Sequence, residues 1–141
     1  MVKYGLLTYR TENIGDEIQS IAARQFLPRV DIYVERDSLN KVVSDEKIKL
    51  IINGWFTHKP ENWPPSPDIE PLFISFHITP SAAQQLSSPQ SIKSFKQHEP
   101  IGCRDYYTVN LLKKEGVDAY FSGCLTLRLQ NTIKKRTNEI L

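Results

Sequence analysis

"KLIINGWF", residues 49–56, is the stretch on which the fold turns. Leu50, Ile51 and Ile52 are consecutively apolar, and successive strand residues point to opposite faces. A strand that needs both faces covered belongs inside a parallel sheet flanked by helices. The run ends in Asn53–Gly54, a turn signal that also allows backbone to approach a ligand closely.

The segments on the N-terminal side agree with this reading. Lys3–Thr8 is a strand. A helix is expected from about Asp16 to Leu27, with Ile18, Ile21, Ala22 and Phe26 at helical spacing on one buried face and Pro28 as the stop. A short strand, Asp31–Val34, precedes a polar segment, Glu35–Lys47, that reads as a poor helix.

On the C-terminal side, Thr57–Pro71 contains five prolines and reads as an irregular loop of a length that suits a binding loop. "LFISFHIT" (72–79) is the next strand, Ser81–Glu99 one or two short helices, and Ile101–Cys103 a brief strand. "RDYYTVNLLKKEG" (104–116) is the clearest helix. Asp105 is its N-cap, Val109 and Leu112 face inward, Lys113 and Lys114 suit the last turn, and Gly116 stops it. "DAYFSG" (118–123) is the sixth strand. Strands alternating with helices or long crossovers imply an α/β, Rossmann-like three-layer domain with a mostly parallel sheet over residues 1–129. Residues 130–141 read as a tail or truncated interdomain linker.

The bulk composition narrows the function classes. The 141 residues suit one domain. A net charge of +2, with basic residues spread along the chain, argues against a nucleic-acid partner. The one basic cluster, Lys134, Lys135 and Arg136, suits a solvated helix face or tail. No apolar run is long enough to span a bilayer, and the first residues lack the features of a secretory signal, so a cytoplasmic location is expected. Cys103 and Cys124 have no metal-ligand spacing. They read as free thiols, and no metal or cofactor is expected.

Open parallel sheets bind ligands off the carboxyl ends of their strands. In the first such loop, Gly15 stands alone, without a dinucleotide fingerprint or a phosphate-cradling loop. Asp16 and Glu17 at the helix start repel a phosphate. A hydroxyl-rich ligand such as a sugar fits better, with Asp16 accepting hydrogen bonds or a proton; the alternative is that Asp16 only caps the helix. Trp55, Phe56 and Trp63 either stack on a sugar ring or pin their loops to the domain. His77 stands where a general base could stand, or is a hydrogen-bonded structural residue. Arg104 could bind a carboxylate or phosphate through its fork, or form an ion pair with Asp105. Cys124 reads as a small buried residue.

Taken together, "NIGDEIQSIAARQFLP", "INGWF" and "PIGCRD" with "GVDAYFSGCLTL" resemble the polysaccharide pyruvyl transferase family over residues 3 to about 129. The matching positions are Asn13, Gly15 and Asp16, then Asn53 and Gly54, then Gly102, Arg104 and Asp105, then Ser122, Gly123 and Cys124. The resemblance implies transfer of pyruvate from phosphoenolpyruvate to a sugar hydroxyl as a ketal, in surface-polysaccharide synthesis. It also implies a glycosyltransferase B-type fold with the active site between two domains, this chain being the N-terminal, acceptor-side half. Asp16 and His77 are then the catalytic candidates. Asn13, Gly15, Gln19, Asn53, Gly54, Trp55, Arg104, Asp105, Ser122 and Gly123 are the substrate-binding candidates. The partners implied are phosphoenolpyruvate, a saccharide acceptor, and a second domain, split partner or further copy of the chain. The alternative is an inactive sugar-binding or interaction module.

Overall fold

A computed structural model describes residues 1–129. The tail or linker expected over 130–141, with its basic cluster, lies outside the described residues. In chain order the elements are β1 (Lys3–Thr8), α1 (Ile14–Arg24), β2 (Ile32–Glu35), a 3-10 turn (Arg36–Lys41) and β3 (Ile48–Phe56). Then come β4 (Ile69–Ile78), α2 (Ala83–Leu86), α3 (Pro89–Lys96), β5 (Ile101–Cys103), α4 (Tyr106–Lys114) and β6 (Ala119–Phe121). All six strands pair in parallel in the order β2-β1-β3-β4-β5-β6. The direction of winding reverses between β1 and β3, which makes that junction the topological switch point. Because every strand points the same way, all six carboxyl ends share one rim. Among the described residues, no helix is long and apolar enough to cross a membrane.

The two faces of the sheet are unequal. One carries an aromatic core in which Phe56, Trp63, Phe73, Phe76 and Phe95 pack ring against ring, with Leu86, Val109 and Leu112 from α2 and α4. Burying rings of this size contributes about 2–3 kcal/mol each. Trp63 belongs here, almost wholly buried, so the Pro-rich segment is pinned to the core and Trp63 is not a sugar platform. The other face is thinner: Ala22 and Ala23 of α1 lie on Ile51, with Leu6, Ile74 and Leu125 around them.

The helical period expected in α1 holds, but its phase is rotated. The buried residues are Asp16, Gln19, Ser20, Ala22 and Ala23. Ile21 and Phe26, expected inside, are 60% and 54% exposed. Two small alanines allow the helix axis close to the sheet. Ser20 fastens the helix by donating to the Leu7 carbonyl at 2.6 Å. That contact face turns the bulkier isoleucines outward and carries Asp16 and Gln19 to the rim.

Asn53–Gly54 is not a turn: both residues lie inside β3. The irregularity is in the pairing with β4, where Ile52 and Gly54 face Phe73 and Phe76, so β4 carries one extra residue. At the bulge Ser75 is fully buried with φ +60°, a conformation unusual for any residue but glycine. Its amide donates to Ser122 Oγ at 2.8 Å, and its hydroxyl accepts from the Leu125 amide. The bulge also allows Phe73 and Phe76, an odd number of residues apart, to enter the same core.

Candidate active site

A cleft of about 640 Å³ opens at the rim, at the switch point. The β1–α1 loop supplies Thr11, Glu12, Asn13, Gly15 and Asp16, with Gln19 one turn further on; β3 and its exit supply Trp55 and His58; β5 ends on Arg104. Three distant stretches of chain meet here because the strands are parallel and end together.

Asn13, not Asp16, caps α1: its side chain accepts from the Gly15 amide at 2.9 Å. Asp16 is thereby released from the capping role considered for it. Its Oδ2 accepts the Thr11 hydroxyl at 2.8 Å, and its Oδ1 lies 2.9 Å from Nη1 of Arg36.

Arg36 was not among the candidates read from the sequence. It leaves the end of β2, and its side chain is 0% exposed. The guanidinium carbon sits 4.8 Å from the centre of the Tyr9 ring and 5.2 Å from that of Trp55. A second carboxylate, Asp37, is 3.5 Å from Nη2. Among the described residues none is in line to take a hydrogen bond from the three guanidinium nitrogens, although Asp16 is near enough for one. Burial raises the Asp37 carboxyl, but the Thr57 hydroxyl, the Arg36 charge and the His58 amide outweigh it, and the group lies below its ordinary range. An isolated arginine in a polar segment gives no periodicity or motif to find it by. The one available signal was its position directly after a strand.

The middle of the rim carries a second constellation. His77 is the neighbour of Trp55 in register across β3 and β4. Its Nδ1 lies 2.5 Å from Asp105 Oδ2, while Asp105 Oδ1 caps α4 by accepting from the Thr108 amide at 2.8 Å. Burial raises the Asp105 carboxyl, and the hydrogen bonds from Thr108 and His77 more than offset it, so its pKa is lowered. A carboxylate accepting at Nδ1 requires the proton on that nitrogen and leaves Nε2 as the working atom. Asp105 is therefore paired with His77 and not with its neighbour. Among the described residues no carboxylate pairs with the Arg104 guanidinium, which lines the cleft.

Gln19 ties the cleft wall to β3 and to the turn after β6. The Asn53 side chain, buried, donates to the Gln19 carbonyl at 2.9 Å and to Oε1 at 3.2 Å. Gln19 Nε2 in turn donates to Cys124 Sγ at 3.4 Å. Gly54 has φ +87°, and a Cβ there would stand 3.1 Å from Gln19 Cγ, so glycine is needed for this approach. The structure thus places Asn53, Gly54 and Ser122 as supports behind the cleft: Ser122 accepts from the Ser75 amide and lies within donating distance of the Cys103 carbonyl. Gly123 (φ +73°) faces open space. Burial raises the Cys124 thiol, yet hydrogen bonds from Thr126 and Gln19 lower it overall; burial pushes Cys103 up to about 12. Among the described residues, no group of three or more His, Cys, Asp or Glu is gathered to hold a metal ion.

A family model described as polysaccharide pyruvyl transferase matches residues 13–140, from the α1 cap onward. No curated protein and no solved structure matches the chain.

Proposed function

The chain belongs to the polysaccharide pyruvyl transferase family, and from that premise we propose that its rim binds a saccharide and takes part in moving a pyruvyl group from phosphoenolpyruvate to sugar hydroxyls. The observation that carries this reading is the division of one cleft into two chemistries. On the β1 side Asn13, Asp16 and Gln19 line it with groups that accept hydrogen bonds; on the β5 side, across β3 and β4, stands Arg104, with no carboxylate partner among the described residues.

Arg104 takes the carboxylate or phosphate of the donor through its fork. Asp16 and its neighbours receive sugar hydroxyls. His77, oriented by Asp105, moves the proton. A proton reaches C3 of the enol, C2 becomes electrophilic, and one sugar oxygen bonds to C2 as its own proton leaves. The C2–O bond to phosphate then breaks, phosphate departs, and a second hydroxyl of the same sugar closes the ketal, losing its proton. The chain supplies the acceptor side of the cleft in a glycosyltransferase B-like arrangement. A second α/β unit supplies the facing wall. Phosphoenolpyruvate is an intracellular metabolite, so the reaction, in surface-polysaccharide synthesis, runs in the cytoplasm.

Incubation of the chain with phosphoenolpyruvate and neutral oligosaccharides, with phosphate release and saccharide binding both measured, tests the reading. Arg104→Lys should lose donor affinity with the fold intact, because a point charge replaces a bidentate fork. Saccharide binding without phosphate release would favour a sugar-binding module; absence of both would remove the assignment.

A further inference from the structure

We propose that Arg36 is a positioning residue that makes the switch-point end of the cleft a site for neutral, vicinal hydroxyls of a sugar and not for an anion; this rests on the saccharide reading above. Two groups that line the cleft, Asp16 and Trp55, are both set against its guanidinium. A buried arginine kept for stability alone is expected to have its N–H groups answered in line, or to be replaceable by apolar side chains. Here all three nitrogens lack an in-line partner among the described residues while the side chain is wholly enclosed. What the residue does secure is the place of the carboxylate and the indole.

The order of charges decides the ligand. From the cleft inward, the carboxylate comes first and the cation lies behind it. An incoming phosphate meets Asp16, not Arg36, even though the α1 N-terminus is close. Thr11 occupies one carboxylate oxygen and Arg36 flanks the other, so the lone pairs left over point along restricted directions. Two hydroxyls at the spacing of adjacent ring carbons suit such a fixed acceptor. Trp55, with the guanidinium over its ring, forms a fixed side wall. Anion binding is thereby left to Arg104 at the opposite end.

The test compares Arg36→Lys, Arg36→Met and Leu39→Ala in the full chain. Leu39 is fully buried in the same 3-10 turn but belongs to the aromatic-core cluster, not the cleft. It controls for lost stability alone. Calorimetric titration with a neutral oligosaccharide, well below each melting temperature, should show affinity reduced about tenfold or more in Arg36→Lys. Phosphoenolpyruvate affinity should persist in that variant, and Leu39→Ala should bind saccharide like the parent. In protein labelled with 5-fluorotryptophan, Arg36→Lys and Arg36→Met should shift the Trp55 fluorine resonance and leave Trp63 in place. If Arg36→Met does not fold, Arg36→Lys carries the comparison. Parent-like saccharide affinity in Arg36→Lys, or an unmoved Trp55 resonance, would overturn the proposal. A parent chain that binds no saccharide would sink the functional reading instead, and the fluorine spectrum would still report on whether Arg36 sets Trp55.

Discussion

His77 and Asp105 lie on neighbouring strand ends, and their side chains meet at 2.5 Å from Nδ1 to Oδ2. The same carboxylate caps α4, so one residue both starts a helix and orients an imidazole. The two duties can be separated by substitution. Asp105→Asn keeps a capping side chain and removes the charge facing His77; Asp105→Ala removes both and should cost about 1 kcal/mol from the cap alone. In the transfer assay, His77→Asn should reduce phosphate release by about 100-fold or more with saccharide affinity unchanged. Asp105→Asn should reduce turnover with little loss of melting temperature. Equal turnover in Asp105→Asn and the parent would show that the carboxylate serves the helix only.

Acid stability should depend on the same class of group. Asp37 and Asp105 have pKa values lowered in the folded chain, despite burial, by the hydrogen bonds and charges around them. A group lowered on folding stabilises above its unfolded pKa of about 3.9, and that contribution disappears as pH falls through the lower folded value. Urea unfolding at a series of pH values should show stability falling below about pH 4, with a shallower fall in Asp37→Asn. An unchanged slope in that variant would mean Asp37 is not linked to folding.

The two thiols should react very differently. Cys103 is fully buried, with its pKa pushed to about 12, whereas Cys124 is partly exposed and lowered by Thr126 and Gln19. Thiolate is the reactive form, so an alkylating reagent near neutral pH should modify Cys124 first and Cys103 only on unfolding. Mass spectrometry of digested samples reads this directly. Saturation of the Gln19–Cys124 contact by ligand should slow the labelling of Cys124.

Gly54→Ala probes the seam between sheet and helix. The residue must adopt a positive φ, which costs a non-glycine about 1–2 kcal/mol, and its Cβ meets Gln19 at 3.1 Å. Chemical denaturation should show a loss of about that size or more. Because Gln19 also holds Asn53 and Cys124, saccharide affinity should fall with it.

How far the sequence was legible follows from what each feature depends on. The six strands, the Asp105 cap and Gly116 terminus of α4, and the inward Val109 and Leu112 are local or periodic, and composition announces them. The phase of α1 is not local. Ile18, Ile21 and Ala22 predict one face, but the sheet selects Ala22 and Ala23 because backbone approach matters more there than side-chain volume. Asn53–Gly54 shows the same limit, since a dipeptide that favours a turn is held in a strand by its pairing with β4 and by Gln19 against it. Of the rim residues, Asp16, Trp55, Arg104 and His77 were recognisable from their places after strands. Arg36 was not, because its significance lies in three contacts from separate segments.

The additional residue in β4 has an outcome of its own. Deleting Ser75 would give a straighter ladder and leave the downstream faces as they are, because Phe73 and Phe76 would then stand two positions apart. Phe76 and Ile78 would stay in the aromatic interior, but the loop hung from Ser75 through Ser122 and Leu125 would lose its hook. A single misfit in the weave thus ties the oily centre of the molecule to its polar edge, and smoothing it away would cut that tie.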